Sequence, residues 1–427
     1  MSLTMHRSHR VAGALVGAAV GDALGAPFTG SPPGEFSRRF PVPARGAKTE
    51  MCGSSPGEFT TITQTALLVA TSLVDRGGLD EADLADRLST GAHGWQTPAA
   101  IWVSRFGSEA SADGARQIAA LTGGDPTAGE VAAVFAELMR VALDGGDVVA
   151  TIPAAVSLVS EEQRKRAMTV LAPELTPDDA TEADGDLWLT LGRAVWAIRE
   201  GRDFAEVMRL SVDLGGHTSS AASLAGGLAG AVFGMGGIPM RWSSAVHGRV
   251  PGFSDRRWGL ADVQELAAAL DGKPLQHYFP GVIPRIGPRE VLPGIWAGNL
   301  DGARYSENDF AVISLCRLGD PFPHEVHRMA YIADNDYNHD VDAVLADVLD
   351  DMAALRAEGH RLLVHCHGGA SRTGLVLRAW LIRTKGMSVE EATAHVAKRW
   401  PHLGLWNASF TAALERIDQR PSSSERG

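Results

Sequence analysis

Leu362-Leu363-Val364-His365-Cys366-His367-Gly368-Gly369-Ala370-Ser371-Arg372-Thr373-Gly374 runs from an apolar stretch straight into a glycine-containing turn that carries a cysteine, an arginine and a hydroxyl. The apolar half reads as a buried strand, Arg361 to Val364, and Gly374 to Ile382 reads as a helix, so the turn lies at a helix N-terminus. That position matters for Cys366. A thiol attacks as its thiolate, and the backbone N–H groups of a tight turn at the head of a helix supply a positive field that lowers a thiol pKa. The same N–H groups, along His367, Gly368, Gly369, Ala370 and Ser371, suit phosphate oxygens. Arg372 adds a planar fork that can grip two such oxygens at once. Thr373 brings a hydroxyl able to bond the sulfur and help it leave. Together these residue types point to thiolate attack on a phosphate ester.

The flanks supply the rest of an α/β unit. Leu345, Val348, Leu349, Met352 and Leu355 recur at helical spacing, and Gly359 stops that helix before the strand. Ser388 and Glu391 form a Ser-x-x-Glu capping box for a helix that ends near Pro401. Glu290 to Gly298 reads as a pair of strands. This arrangement resembles the dual-specificity branch of the protein tyrosine phosphatases, whose His-Cys-x-x-Gly-x-Ser-Arg-Ser/Thr signature is met here at every fixed position. The resemblance covers roughly residues 286 to 418, with Trp400-Pro401, Asn407 and Phe410 as its closing segment. It implies a central sheet flanked by helices, Cys366 as nucleophile and Arg372 as phosphate ligand. A structural cysteine beside a surface arginine is the bland alternative, and a sulfur-transfer loop of the rhodanese type is disfavoured by the loop length and the Ser-Arg-Thr ending.

An alkoxide leaves poorly unless it is protonated as the P–O bond breaks, so such an enzyme needs a general acid on a separate loop. Asp334, Asp336 and Asp340 are the candidates. Asp334 stands at the family's separation from the cysteine and is the first choice, Asp336 the second. At least two of the three are solvated or helix-capping carboxylates.

The first 260 residues have a different character. Val11 to Pro27 is rich in alanine and glycine and follows His6, Arg7 and Arg10, which invites a signal-peptide reading. Asp22 breaks its apolar core, no disulfide framework follows, and no stretch approaches the length of a membrane span. Gly21-Asp22-Ala23-Leu24-Gly25-Ala26-Pro27, the helix from Phe59 to Leu68, the helix start at Asp125 to Glu130, and Asp213 to Ala222 occur in the order found in ADP-ribosylglycohydrolases, and Leu224 to Arg241 resembles that family's Ala/Gly-rich helix and its exit. The resemblance implies an all-α domain over residues 1–270. In the family, Thr-Asp-Asp-Thr and Gly-Gly-Asp-Thr-Asp-Thr blocks supply carboxylates for two Mg²⁺ ions. Those positions are Thr61, Ile62, His217 and Ser219 here. Mg²⁺ demands oxygen ligands that include carboxylates, and Thr60 and Ser220 offer only hydroxyls. One imidazole is no site for a softer metal either. The expectation is a pseudo-enzyme domain with a degenerate site of Asp22, Thr60, Thr61, Ile62, His217, Ser219 and Ser220, no metal and no cofactor.

At 427 residues with 45% hydrophobic content the chain can form two cores. A crowd of prolines and glycines between Pro251 and Pro288, after a helix from Asp262 to Leu270, marks a linker at 271–288 before a phosphatase-like domain at 289–418. The tail from 419 reads as disordered. A formal charge of −12 argues against nucleic acid or a membrane surface as partner. The sparse cysteines, Cys52, Cys316 and Cys366, and the need for a free thiolate suit a reducing cytoplasm. Expected partners are a phosphorylated protein or small phosphorylated ligand and, through the first domain, ADP-ribose or an ADP-ribosylated protein. A non-catalytic adaptor and a bifunctional hydrolase are the competing functions.

Overall fold

The computed structural model describes residues 5–88, 96–122, 126–176, 186–250, 254–275, 283–318, 322–335 and 340–418. Asp125, Asp336, Pro251-Gly252, part of the expected linker (276–282) and the tail from 419 lie outside the described residues.

The first domain is helical. Its centre is α1 (Arg7–Gly25), packed against α2 (Thr61–Arg76) and α3 (Thr218–Phe233), with the helices Pro126–Leu143 and Leu187–Glu200 around them. A helix that is apolar on every side belongs in a core. Contrary to the expectation that no stretch approaches the length of a membrane span, α1 is long and apolar enough to cross one, yet from Gly13 onward every residue is buried inside the domain. Gly13, Gly17 and Gly21 form one stripe of α1, and a methyl added at each would collide with the carbonyl oxygens of Gly230, Gly226 and Ala222 respectively. The pairing runs in opposite directions, so α1 and α3 are antiparallel and touch backbone to backbone.

This contact fixes the sign of a mutation. In an unconstrained helix Gly→Ala stabilises by about 0.5–1 kcal/mol. Gly17→Ala is expected to destabilise instead, by roughly 1–3 kcal/mol for overpacking. Thermal melting of the two proteins reads the sign, and a rise in Tm would contradict the close approach.

After the short α4 (Met240–Ser243) comes a hairpin that the sequence did not announce, β1 (His247–Val250) paired antiparallel with β2 (Ser254–Gly259). α5 (Leu260–Leu270) follows, its first turn capped by the Gly259 N–H donating to Asp262 Oδ2 at 2.8 Å. Val263, Leu266 and Leu270 join the core of the first domain.

The second domain is a five-stranded sheet between helices. Its strands are β3 (Arg289–Leu292), β4 (Ile295–Gly298), β5 (Phe310–Ser314), β6 (His327–Met329) and β7 (Arg361–His365), in the order β3-β4-β7-β5-β6. Only β3 is antiparallel to its neighbour. β5 and β7 are central and read as continuous apolar runs, as strands covered on both faces do. Ala311, Ile313, Leu362 and Val364 join the cluster formed with α6 (Val341–Ala357) and α7 (Ser371–Lys385). Phe310, Val312 and Leu363 alternate to a smaller cluster with Ala303 and Phe322. α8 (Val389–Arg399) begins at the Ser388–Glu391 capping box, and α9 (Ala408–Asp418) completes the layer.

β6 is an edge strand, and the first domain covers it. Met329 N–H donates to Ser244 Oγ at 2.7 Å, which satisfies a donor that would otherwise invite another strand. Arg328, buried, donates from Nη2 to Gly46 O at 2.6 Å and from Nε to Asp351 Oδ2 at 2.9 Å. On α6, Asp347 accepts from Met240 N–H at 2.7 Å and pairs with Arg45 at 3.0 Å. Behind this seam Arg241 and Glu50 pair at 2.9 Å, each only 3% exposed, and Trp242 Nε1 also donates to Glu50.

Candidate active site

β7 ends at His365 and α7 begins at Ser371, so Cys366 to Ala370 form the turn between sheet and helix. Two features close it tightly. Gly369 has φ of +72°, and a Cβ there would lie 2.8 Å from Gly298 O and 3.1 Å from Asn299 N, a position open to glycine alone. Its carbonyl accepts from the buried Trp400 indole at 2.7 Å, while His367 O accepts from Leu300 N–H at 3.1 Å. Among the described residues, the backbone N–H groups from His367 to Thr373 donate to no other backbone carbonyl; the next, Gly374 N–H, reaches Ala370 O at 2.9 Å. The turn thus presents a row of main-chain donors at the N-terminus of α7.

Arg372 leans back over this row. Its Nη1 donates to Leu315 O and Ile332 O, both at 3.3 Å, which anchors the guanidinium between the end of β5 and the segment after β6. Its Nε lies 3.7 Å from Asp334 Oδ2, an ion pair too long for a hydrogen bond. Arg372 Nε, Ser371 Oγ and Thr373 Oγ1 are buried without a hydrogen-bond partner among the described residues. The bond expected from Thr373 to the Cys366 sulfur is therefore not formed. Thr373 sits fully buried in the first turn of α7 with its hydroxyl unengaged.

The structure sets Asp334 3.7 Å from Arg372, a residue on the same turn and helix start that carry Cys366 and Thr373. Asp340 is elsewhere, at the N-terminus of α6 beside His9 of the first domain. Asn335, next to Asp334, is held by its carbonyl, which accepts from Asn407 Nδ2 at 3.1 Å and Ser409 Oγ at 3.2 Å.

Behind the turn lies a polar chain that sequence reasoning missed. Ser314 Oγ is 2.6 Å from His365 Nε2 and 2.8 Å from His327 Nε2. His365 Nδ1 is 3.3 Å from the Cys366 carbonyl, which can only accept, so that nitrogen carries the proton. Ser314 then donates to His365, and His327 donates to Ser314. Burial pushes the pKa of both imidazoles down to about 3, which keeps them neutral, and Phe322 stacks on both rings. His365 was visible in the signature; Ser314 and His327 come from other strands and carry no local signal. Cys316 is no rival nucleophile, since burial pushes its thiol up to about 12.

In the first domain, Thr60 caps α2 and His217 precedes α3, exposed. Asp22 is fully buried and accepts four hydrogen bonds, from Thr60 N–H (2.9 Å), Thr60 Oγ1 (2.7 Å), Thr63 N–H (3.1 Å) and Thr63 Oγ1 (2.7 Å). Burial nevertheless holds its carboxyl above the usual range. Thr61 is exposed, Ile62 is packed away at 8% exposure, Ser219 Oγ meets Thr29 Oγ1 at 3.1 Å, and Ser220 is half-buried.

The family model for ADP-ribosylglycohydrolase matches residues 3–97 and 90–275. The chain belongs to the ADP-ribosylglycohydrolase family. A second model, for the dual specificity phosphatase catalytic domain, matches residues 307–420, and the C-terminal domain is a phosphatase-type hydrolase of that class. ADP-ribosylarginine hydrolase Tri1 of Pseudomonas putida (strain GB-1) is 25% identical over 321 residues, covering 62% of this chain and 82% of its own. Dual specificity protein phosphatase 5 of Rattus norvegicus is 25% identical over 119 residues, 26% of this chain and 31% of that protein. Among solved structures, an ADP-ribosylglycohydrolase-related protein complex contains a chain 30% identical to this one at a TM-score of 0.48, covering 62% of this chain and 98% of that one.

The two Mg²⁺ ions implied by the ADP-ribosylglycohydrolase resemblance do not fit the residues present. Asp22 is the one carboxylate among the candidate positions, and its oxygens are engaged in holding the head of α2. Among the described residues no group of three His, Cys, Asp or Glu is placed to hold a metal ion.

Proposed function

We propose that the C-terminal domain of this ADP-ribosylglycohydrolase family member hydrolyses phosphomonoesters through a phosphocysteine intermediate. The observation that carries the reading is the convergence of Cys366 and Arg372 on one turn with the Asp334 carboxyl 3.7 Å from the guanidinium. The Cys366 thiolate attacks phosphorus as the bond to the leaving oxygen breaks, and Asp334 gives that oxygen its proton. The resulting Asp334 carboxylate takes a proton from water, whose oxygen attacks phosphorus. Sulfur leaves as thiolate and inorganic phosphate is released. Main-chain N–H groups of His367 to Arg372 and the Nε edge of Arg372 hold the equatorial oxygens. The substrates are phosphorylated protein or a small phosphorylated ligand. A chemistry resting on a free thiolate suits a reducing compartment such as the cytoplasm.

The first domain is a pseudo-enzyme that recognises substrate or partner, ADP-ribose being the ligand class its family suggests. The Pseudomonas relative is by name an ADP-ribosylarginine hydrolase. Thr61, Ile62, His217 and Ser219 bring no fixed negative charge to neutralise two divalent ions. Mg²⁺ should therefore leave the Tm of the chain unchanged, because a ligand that does not bind the native state cannot stabilise it. Hydrolysis of an aryl phosphate should proceed equally with a chelator present. A Mg²⁺-dependent rise in Tm, or Mg²⁺-dependent release of ADP-ribose from modified protein, would contradict the pseudo-enzyme reading.

A further inference from the structure

We propose that Ser244 and His9, both in the first domain, are positioning residues for the general acid of the second. The inference rests on Asp334 being that acid. Asp334 lies between two points at which the other domain grips the chain. Before it, the Met329 N–H donates to Ser244 Oγ at 2.7 Å, and Arg328 reaches Gly46 O at 2.6 Å. After it, Asp340 Oδ2 lies 3.6 Å from His9 Nδ1, and the fit is so close that a methyl at Gly236 would collide with the Asp340 carboxylate. Two turns further on, Met240 N–H and Arg45 both engage Asp347.

Among the described residues between these grips, the chain carries little regular structure of its own. β6 is three residues long and bonded to a neighbour on one side only, and Ala330 to Asn335 form no regular element. Within the phosphatase domain, this run is held by Ala330 N–H donating to Ser314 O, by Arg372 on Ile332 O, and by Asn407 and Ser409 on Asn335 O. Cys366, by contrast, sits between β7 and α7 in a turn whose Gly369 and His367 carbonyls accept from Trp400 and Leu300, and among the described residues no hydrogen bond or ion pair ties it to the first domain. The first domain therefore bears on proton donation and not on nucleophilic attack. An error of about 1 Å in such a group costs up to roughly 10²-fold in rate, so loss of a tether should appear where protonation limits and nowhere else.

The test compares full-length wild type, Ser244→Ala, Ser244→Thr, His9→Ala and Asp334→Asn on an alkyl phosphate and on an aryl phosphate with a good leaving group. The rate of Cys366 alkylation by iodoacetate and the Tm are recorded alongside. In kcat/KM, which reports the phosphorylation step and not the later hydrolysis, Ser244→Ala and His9→Ala should each lose on the order of 10–100-fold on the alkyl phosphate and stay within about two-fold on the aryl phosphate. The basic limb of the kcat profile should weaken, and alkylation should be unchanged. Ser244→Thr, which keeps the acceptor oxygen, should recover turnover. Equal losses on both substrates, or no loss on either, would overturn the proposal. A leaving-group preference in Asp334→Asn that Ser244→Ala and His9→Ala do not share would overturn it while sparing the assignment of Asp334. No preference in Asp334→Asn would remove that assignment, and the proposal with it.

Discussion

Cys366→Ser should reduce turnover of every phosphomonoester to the uncatalysed background. Serine fills the same volume at the end of β7, and the turn's hydrogen bonds from Trp400 and Leu300 go to main-chain carbonyls that the substitution does not touch. Folding and Tm should accordingly be preserved. What disappears is the nucleophile. A thiol is a far better nucleophile than an alcohol, and an alcohol there has no adjacent base to take its proton. The two histidines behind the turn cannot serve. His365 directs its protonated nitrogen at the Cys366 carbonyl and its other nitrogen at Ser314. Binding should survive, so the variant ought to retain substrate and vanadate affinity while turning nothing over. Measurable turnover with Cys366→Ser would mean that another residue attacks phosphorus.

Asp334→Asn should lower kcat for alkyl phosphates by roughly 10²–10⁴-fold, the usual contribution of a positioned general acid. Aryl phosphates with acidic leaving groups should lose far less in the first step, because their oxygens depart without a proton. The basic limb of the pH profile, which reports the protonated acid, should vanish with the carboxyl. The substitution also removes the charge 3.7 Å from Arg372 Nε, but that guanidinium keeps its two carbonyl anchors, Leu315 O and Ile332 O. Phosphate affinity should therefore hold or rise. A uniform loss across leaving groups would locate the acid elsewhere.

The parts of this molecule that were legible in its sequence are those whose signals are local. The strand–turn–helix around Cys366 declares itself through an apolar run, glycines and a reactive triad within a dozen or so residues. The Ser388–Glu391 box caps α8 as expected, with the two bonds at 3.2 and 2.8 Å.

The rest depends on distance in the chain. β5 is a short strand of only four apolar residues before Ser314, and β6 reads His-Arg-Met, a sequence that looks like surface until its arginine meets Gly46 and Asp351. Ser314 and His327 matter to the turn only because the parallel pairing of β5 with β6 and β7 lines them up beside His365. The four-residue spacing of Gly13, Gly17 and Gly21 was on the page, but its partner stripe on α3 lies two hundred residues away. Thr373 was expected to meet the sulfur, and a sequence cannot choose a rotamer.

The most direct test of the central claim is to mix the enzyme rapidly with an aryl phosphate, quench in acid, and map any phosphoryl group by mass spectrometry of the digested chain. The account predicts a burst of the aryl alcohol stoichiometric with enzyme and one phosphoryl group on the peptide containing Cys366, accumulating further in Asp334→Asn as dephosphorylation slows. Turnover without a burst and with Cys366 unmodified at every quench time, or a phosphoryl group on a different residue, would contradict it.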